Sequence, residues 1–195
     1  MYPIKNIFIV ELSNLNIKNG LCISLGANID SKFGEPIETL IKCRPIVENF
    51  IKNWISQFKS KNSNNLLTDI NFSWSSIYRT NPHGISEPQP NYFNTILLVK
   101  STYLLEPSCE EVKLLLSEFK TLEKEYGRDI FNKKKWISRC LDLDILWWEN
   151  LICKDSQITI PHPRFVNRNF VITPLAEILN RDQRVEKIKE PRWDV

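Results

Sequence analysis

The sequence predicts an α+β fold with helices on one face of an antiparallel sheet. Three observations carry that prediction. Apolar residues alternate with other types at period two in Arg139-Cys140-Leu141-Asp142-Leu143-Asp144-Ile145-Leu146, the signature of a strand. Apolar residues recur at helical spacing over 108–126. Extended and helical stretches follow one another in the order β-α-β-β-α-β, which brings helices against a sheet.

Residues 1–20 read as an N-terminal extension punctuated by Asn and Lys. Leu21 to Leu25 reads as a buried strand, and Gly26-Ala27-Asn28 as a tight turn, because Gly and Asn tolerate unusual backbone angles. Residues 35–58 carry helical periodicity that Pro45 is expected to kink or break. The Asn-rich stretch 59–69 reads as a surface insertion. A strand follows over about 70–78, then a long Pro-rich loop over 79–90, then a strand from Tyr92 to Val99. Ser108 and Glu111 fit a capping box, Val112, Leu115, Leu116, Phe119, Leu122 and Tyr126 share one helix face, and Gly127 stands where a C′ glycine ends a helix. After the 139–146 strand come a short β segment and a final helix over 170–179, broken early by Pro174. The order is that of a ferredoxin-like core with extra C-terminal elements. One domain is expected over 21–180, with 181–195 as a tail.

At 195 residues the chain suits one domain. A net charge of +3 is too small to argue for nucleic acid. Cys22, Cys43, Cys109, Cys140 and Cys153 form no C-x-x-C pair, and their odd count and scatter argue against a disulfide framework or a zinc site. The apolar run Ile7 to Val10 is too short for a signal segment or a membrane span. A reduced, cytoplasmic protein is the expectation.

Chemistry concentrates around the 139–146 strand. Leu141, Leu143 and Ile145 share one face, and Asp142 and Asp144 share the other. Two carboxylates side by side are costly without a cation between them. Mg²⁺ suits them, since it takes hard oxygen ligands from one or two carboxylates plus substrate phosphates. The preceding loop sets Arg128, Lys133, Lys134, Lys135 and Arg139 against Asp129 alone. Carboxylates for metal beside cations for phosphate is the layout of a phosphoryl-transfer site. The competing structural reading is an edge strand whose charges block aggregation. Both stay open on this segment alone.

Four segments read together decide between them. They are Ser24-Leu25-Gly26-Ala27-Asn28; Tyr78-Arg79-Thr80-Asn81-Pro82-His83-Gly84 with Tyr92-Phe93-Asn94; Glu123 with Gly127-Arg128, then Trp136, Arg139, Asp142 and Asp144; and Pro161-His162-Pro163-Arg164 with Arg168, Phe170, Pro174 and Leu175. In this order and spacing the chain resembles the 6-hydroxymethyl-7,8-dihydropterin pyrophosphokinases of folate biosynthesis over about residues 21–179. The resemblance implies transfer of the terminal pyrophosphoryl unit of ATP, the co-substrate, to the hydroxymethyl group of a reduced pterin, releasing AMP, with two Mg²⁺ ions. It implies metal binding by Asp142 and Asp144, with Arg128 and Arg139 as catalytic companions. ATP contacts fall to Arg128, Trp136, Arg139, Ile145, His162 and Arg168. Pterin contacts fall to Thr80, Asn81, Pro82, Tyr92, Asn94, Trp136 and Phe170, with Tyr92 and Phe170 as the stacking pair. Glu123 is a supporting residue. Its implied partners are small molecules, with neither nucleic acid nor membrane, and with room for association with other folate-pathway enzymes.

The chain departs from the family pattern at Ala27, Asn81, His83 and Lys120, and at Phe131 and Asn132, near where a second loop arginine is usual. Lysines there replace charge but not fork geometry. Two other classes compete: a single-stranded nucleic-acid binder using the basic loop and its aromatics, and a D-x-D transferase using a sugar nucleotide. The first makes no use of the aspartates. The second lacks a glycine-rich turn after the first strand. Both long loops are expected to act as lids.

Overall fold

The computed structural model describes residues 20–58, 70–82, 88–101, 107–128 and 137–182. Residues 1–19 of the extension, the 59–69 insertion, the C-terminal tail beyond Asp182, His83 and Trp136 lie outside them.

The chain runs β1 (Leu21–Ala27), α1 (Pro36–Phe58), β2 (Asn71–Trp74), β3 (Tyr78–Thr80), β4 (Tyr92–Lys100), α2 (Cys109–Glu125), β5 (Asp142–Trp148), β6 (Cys153–Lys154), β7 (Thr159–Ile160), a 3₁₀ turn (Phe165–Asn167) and α3 (Asn169–Asp182). Five strands form one antiparallel sheet in the order β2-β4-β1-β5, with β3 beside β4. The fold is therefore mixed α/β on an antiparallel sheet. The strand expected over 70–78 is two strands, β2 and β3, and both pair with β4. Gly26 and Ala27, expected in a turn, continue β1 against Asn94 and Phe93.

Period-two alternation gives the sheet two different faces. Leu21, Ile23 and Leu25 of β1, Leu97 and Val99 of β4, and Leu143 and Ile145 of β5 face α1 and α2. There they meet Leu40, Cys43, Val47 and Ile51 of α1 and Val112, Leu115 and Phe119 of α2. Cys22, Ile96, Leu98, Leu146 and Trp147 face the other way, onto Val171, Leu175 and Ile178 of α3. Helices thus cover both faces, not one as the sequence suggested. Among the described residues, no helix covers the part of the second face around Asp142 and Asn94; α3 packs on Ile96, Leu98, Leu146 and Trp147 and touches β3.

A bulge explains how Leu146 and Trp147 reach the same side. Ile23 pairs with Ile145 and Cys22 with Trp147, so Leu146 is the extra residue and alternation restarts after it. Trp148 then returns to the α1–α2 side.

The breaks expected at two prolines are corrected. Helix α1 is continuous through Pro45, and α3 is continuous through Pro174. Each proline removes one backbone bond. Burial of Leu40, Cys43, Val47 and Ile51 around Pro45, and of Val171, Leu175 and Ile178 around Pro174, holds the helical path. The capping box on α2 is present in full: Glu111 N–H donates to Ser108 Oγ at 3.2 Å, and Ser108 N–H to Glu111 Oε2 at 2.6 Å. Gly127 closes that helix at φ +108°, a left-handed value that glycine adopts without strain.

The cysteine expectation also changes. Cys109 and Cys153 form a disulfide, with Cα atoms 5.6 Å apart. A separation of 44 residues hides the pair in the sequence, and the fold brings the start of α2 to the β6–β7 hairpin. Lys113 and Asp155 join the same elements at 3.3 Å. Among the described residues no helix is long and apolar enough to cross a membrane.

Candidate active site

The uncovered half of the second face collects the polar residues. Asp142 and Asp144 lie opposite Gly26 and Ser24 of β1, and Asn94 of β4 lies on the far side of Gly26. Tyr92 and Thr80 are paired neighbours on that face, beside Asn94. Gly26 makes room here: a Cβ at this position would come 2.9 Å from Asn94 Oδ1. Asn94 is buried, and its Nδ2 donates to Thr80 Oγ1 at 2.9 Å, which fixes how the amide points.

Cations converge on the two aspartates. Arg139 Nη1 lies 2.6 Å from Asp142 Oδ1, and Arg128 Nη1 lies 3.4 Å from the same oxygen. Arg168 Nη1 reaches Asp144 Oδ2 at 3.4 Å, and its guanidinium lies 5.4 Å from the Phe170 ring centre. The Asp142 carboxyl is nonetheless pushed above its ordinary value. Burial is the main cause and the Asp144 charge the next, with Arg139 opposing both. The two carboxylates set oxygen donors side by side on one face of the strand. Among the described residues no group of three or more His, Cys, Asp or Glu side chains forms a metal cage. The donor set fits Mg²⁺, which completes its shell with water and phosphate oxygens.

Glu123 of α2 is fully buried and reaches the same strand. Its Oε1 accepts the Leu143 N–H at 2.8 Å and Lys120 Nζ at 2.7 Å, and its Oε2 accepts from Arg128. A buried carboxylate costs several kcal/mol unless it is hydrogen-bonded, and Glu123 accepts from three donors. Glu123 therefore links Arg128 to the backbone between the two aspartates.

His162 joins β5 from the other side. Its backbone N–H donates to the Leu146 carbonyl at 2.7 Å. Arg164 N–H donates to His162 Nδ1 at 3.2 Å, so the neutral ring carries its proton on Nε2. Burial holds the imidazole below its ordinary value, Asp144 raises it, and Arg168 and Arg164 lower it.

The aromatic pair is half-buried rather than core. Tyr92 Oη lies 3.2 Å from Gln89 Oε1 and 3.3 Å from the Ile137 carbonyl, and burial raises its phenol with Arg139 pulling it down. Phe170 packs at the margin of the α3 cluster. Asn81 is exposed, and its Oδ1 accepts from Asn91 Nδ2 at 3.0 Å in the Asn91 orientation that satisfies both residues. Pro82 is half-buried beside it. Ile145 has its side chain in the core under α1 and α2, so only its backbone is left to meet a nucleotide. Trp136 lies outside the described residues.

Residues 22–180 match the model of the 7,8-dihydro-6-hydroxymethylpterin-pyrophosphokinase family. The chain belongs to that family. A Haemophilus influenzae protein named 2-amino-4-hydroxy-6-hydroxymethyldihydropteridine pyrophosphokinase is 39% identical over 104 residues, 53% of this chain and 59% of that protein. The Helicobacter pylori protein of the same name is 26% identical over 162 residues, 83% of this chain and 82% of its own length. A Chlamydia caviae protein named folate synthesis bifunctional protein is 36% identical over 87 residues, 45% of this chain and 18% of its own. Against the three curated relatives it matches first, the chain spans between 48% and 60% of their length.

Family membership makes the geometry of the third and fourth motifs coherent, because both meet on β5. Asn28 belongs to the first motif, which implies no role for it, yet its buried amide reaches the ends of both long loops.

Proposed function

We propose that the chain transfers the terminal pyrophosphoryl group of ATP to the hydroxymethyl oxygen of 6-hydroxymethyl-7,8-dihydropterin and releases AMP, with two Mg²⁺ ions held by Asp142 and Asp144. The carrying observation is the open face of β5. There two adjacent carboxylates meet Arg128, Arg139 and Arg168, in a chain whose residues 22–180 match a pyrophosphokinase family.

In the reaction the pterin oxygen forms a bond to the β-phosphorus of ATP. The bond from that phosphorus to the bridging oxygen of the α-phosphate breaks, AMP takes the electron pair, and the hydroxyl proton is released. Asp142 and Asp144 would hold the magnesium ions, which would supply neutralisation of phosphate charge. The protein's own share is positioning and electrostatics. Arg139 and Arg128 offer planar forks to phosphate oxygens from their station beside Asp142. Arg168 does so from Asp144, and His162 offers a neutral Nε2–H. Tyr92 and Phe170 stack the flat pterin. Asn94, its amide fixed by Thr80, reads the ring edge. Thr80 and Pro82 line the slot, while Asn81 is engaged with Asn91 and holds the neck of the 81–91 loop.

We also read the core as ferredoxin-like. The strand order β2-β4-β1-β5, with α1 between β1 and β2 and α2 between β4 and β5, supports that reading. The fused relative supports a second folate-synthesis activity as a neighbour.

AMP release from MgATP, with and without the pterin, tests the proposal. AMP appearing only with the pterin is the expected result. Release indifferent to the pterin overturns it.

A further inference from the structure

Asn28 ends β1 next to the site, and its side chain is only 2% exposed. Its amide is bonded at both ends, to partners 62 to 111 residues away. Nδ2 donates to the Pro90 carbonyl at 3.3 Å and to Ser138 Oγ at 3.1 Å. Oδ1 accepts the Arg139 N–H at 2.6 Å, and the Asn28 backbone N–H donates to the Arg139 carbonyl at 2.9 Å.

The pattern of partners carries the argument. Pro90 closes the Pro-rich loop, and Ser138 and Arg139 close the basic loop. One buried amide therefore fastens the ends of both. Arg139 is gripped at its N–H and at its C=O, and two fixed backbone groups set the direction in which its side chain leaves. That side chain ends 2.6 Å from Asp142 Oδ1. A buried amide costs free energy unless it is fully bonded. Here every bond goes to a loop end, and one partner is the backbone of the arginine beside the carboxylates.

We propose that Asn28 is a positioning residue, whose amide aims the Arg139 guanidinium at the phosphate-binding face. This rests on the phosphate-facing reading of Arg139. A purely structural cap would cost stability and leave turnover per folded molecule alone.

The test is a double-mutant cycle in the full chain, reading kcat and KM for AMP release. Asn28→Ala is expected to lower kcat about 10- to 100-fold, the usual cost of losing an orienting partner. Its KM for the pterin should change by less than about threefold, because the lost interaction acts on the reacting phosphates. In an Arg139→Ala background the same substitution should cost less than about threefold, since the residue it acts through is gone. Asn28→Asp keeps the acceptor for Arg139 N–H, and the Ser138 hydroxyl can turn to donate to it, so its kcat should fall between wild type and Asn28→Ala. Losses that simply add in the double mutant, or an Asn28→Ala kcat equal to wild type, overturn the proposal. If Asn28→Ala does not fold, the cycle is run with Asn28→Asp and the same additivity criterion. If wild type makes no AMP, the pyrophosphokinase reading fails by itself. Crystal structures of wild type and Asn28→Asp then decide the positioning claim. Wild type is expected to keep Arg139 Nη1 on Asp142 Oδ1, and Asn28→Asp to displace it measurably. An unchanged arginine in Asn28→Asp overturns the claim.

Discussion

The two sides of β5 come from one alternating stretch and have opposite fates. Leu143 and Ile145 are sealed under α1 and α2, while Asp142 and Asp144 keep 31% and 34% of their side-chain surface accessible. What differs is the cover. On the aspartate side, among the described residues, helix α3 packs on Ile96, Leu98, Leu146 and Trp147. One side of the strand therefore serves stability, and the other leaves charged groups where solvent and small molecules reach them. Glu123 crosses between the two, since it leaves a core helix and ends on the strand between the aspartates.

Glu123→Ala should give the largest effect, because it touches both sides. It strands the Leu143 N–H and removes the buried partner of Arg128, at about 3–5 kcal/mol of stability. Turnover should fall as Arg128 loses its anchor. Chemical denaturation and AMP release on the same preparation check this, and loss of stability alone would confine Glu123 to the core. Asp144→Asn should separate the sides cleanly. AMP release is expected to drop roughly 100- to 1,000-fold, as when one preorganised electrostatic group is removed. The melting midpoint should move by less than about 4 °C, because a solvent-accessible ion pair contributes about 0–1 kcal/mol. Ile145→Val should do the reverse, costing about 0.5–1.5 kcal/mol in denaturation while leaving the KM for ATP unchanged.

The smallest effect is a pH slope. His162 is held below its ordinary value of 6.5, first by burial. The unfolded chain then takes up the proton before the folded one does. Stability should fall as pH drops through 6.5 and level off below the folded-state value. A His162→Gln variant should lack that slope. An identical slope in the variant would assign it to other groups.

Much of this contrast is legible in the sequence. Strict alternation over Leu141 to Ile145 assigns both faces of β5 without a structure, and Ser108 with Glu111 marks the start of α2. Other features are invisible because they depend on distant pairing. The bulge at Leu146 arises from the register of β5 on β1, and it is what turns Trp147 toward α3. The helix around Pro45 survives because four buried neighbours outweigh one lost backbone bond. Cys109 and Cys153 meet only once α2 and the β6–β7 hairpin are placed. Asn28 reads as a turn residue from its local neighbours, and its partners are all more than sixty residues away. Local chemistry writes the elements, and the hub residues emerge from their assembly.

The most direct test of the open face as a pyrophosphoryl-transfer site is the fate of the ATP phosphates, followed by phosphorus NMR and mass spectrometry in the presence of Mg²⁺ and the pterin. The account predicts AMP and a pterin diphosphate in equal amounts, with both the β- and γ-phosphorus on the pterin. ADP with a pterin monophosphate, or inorganic phosphate with the pterin unchanged, would contradict it.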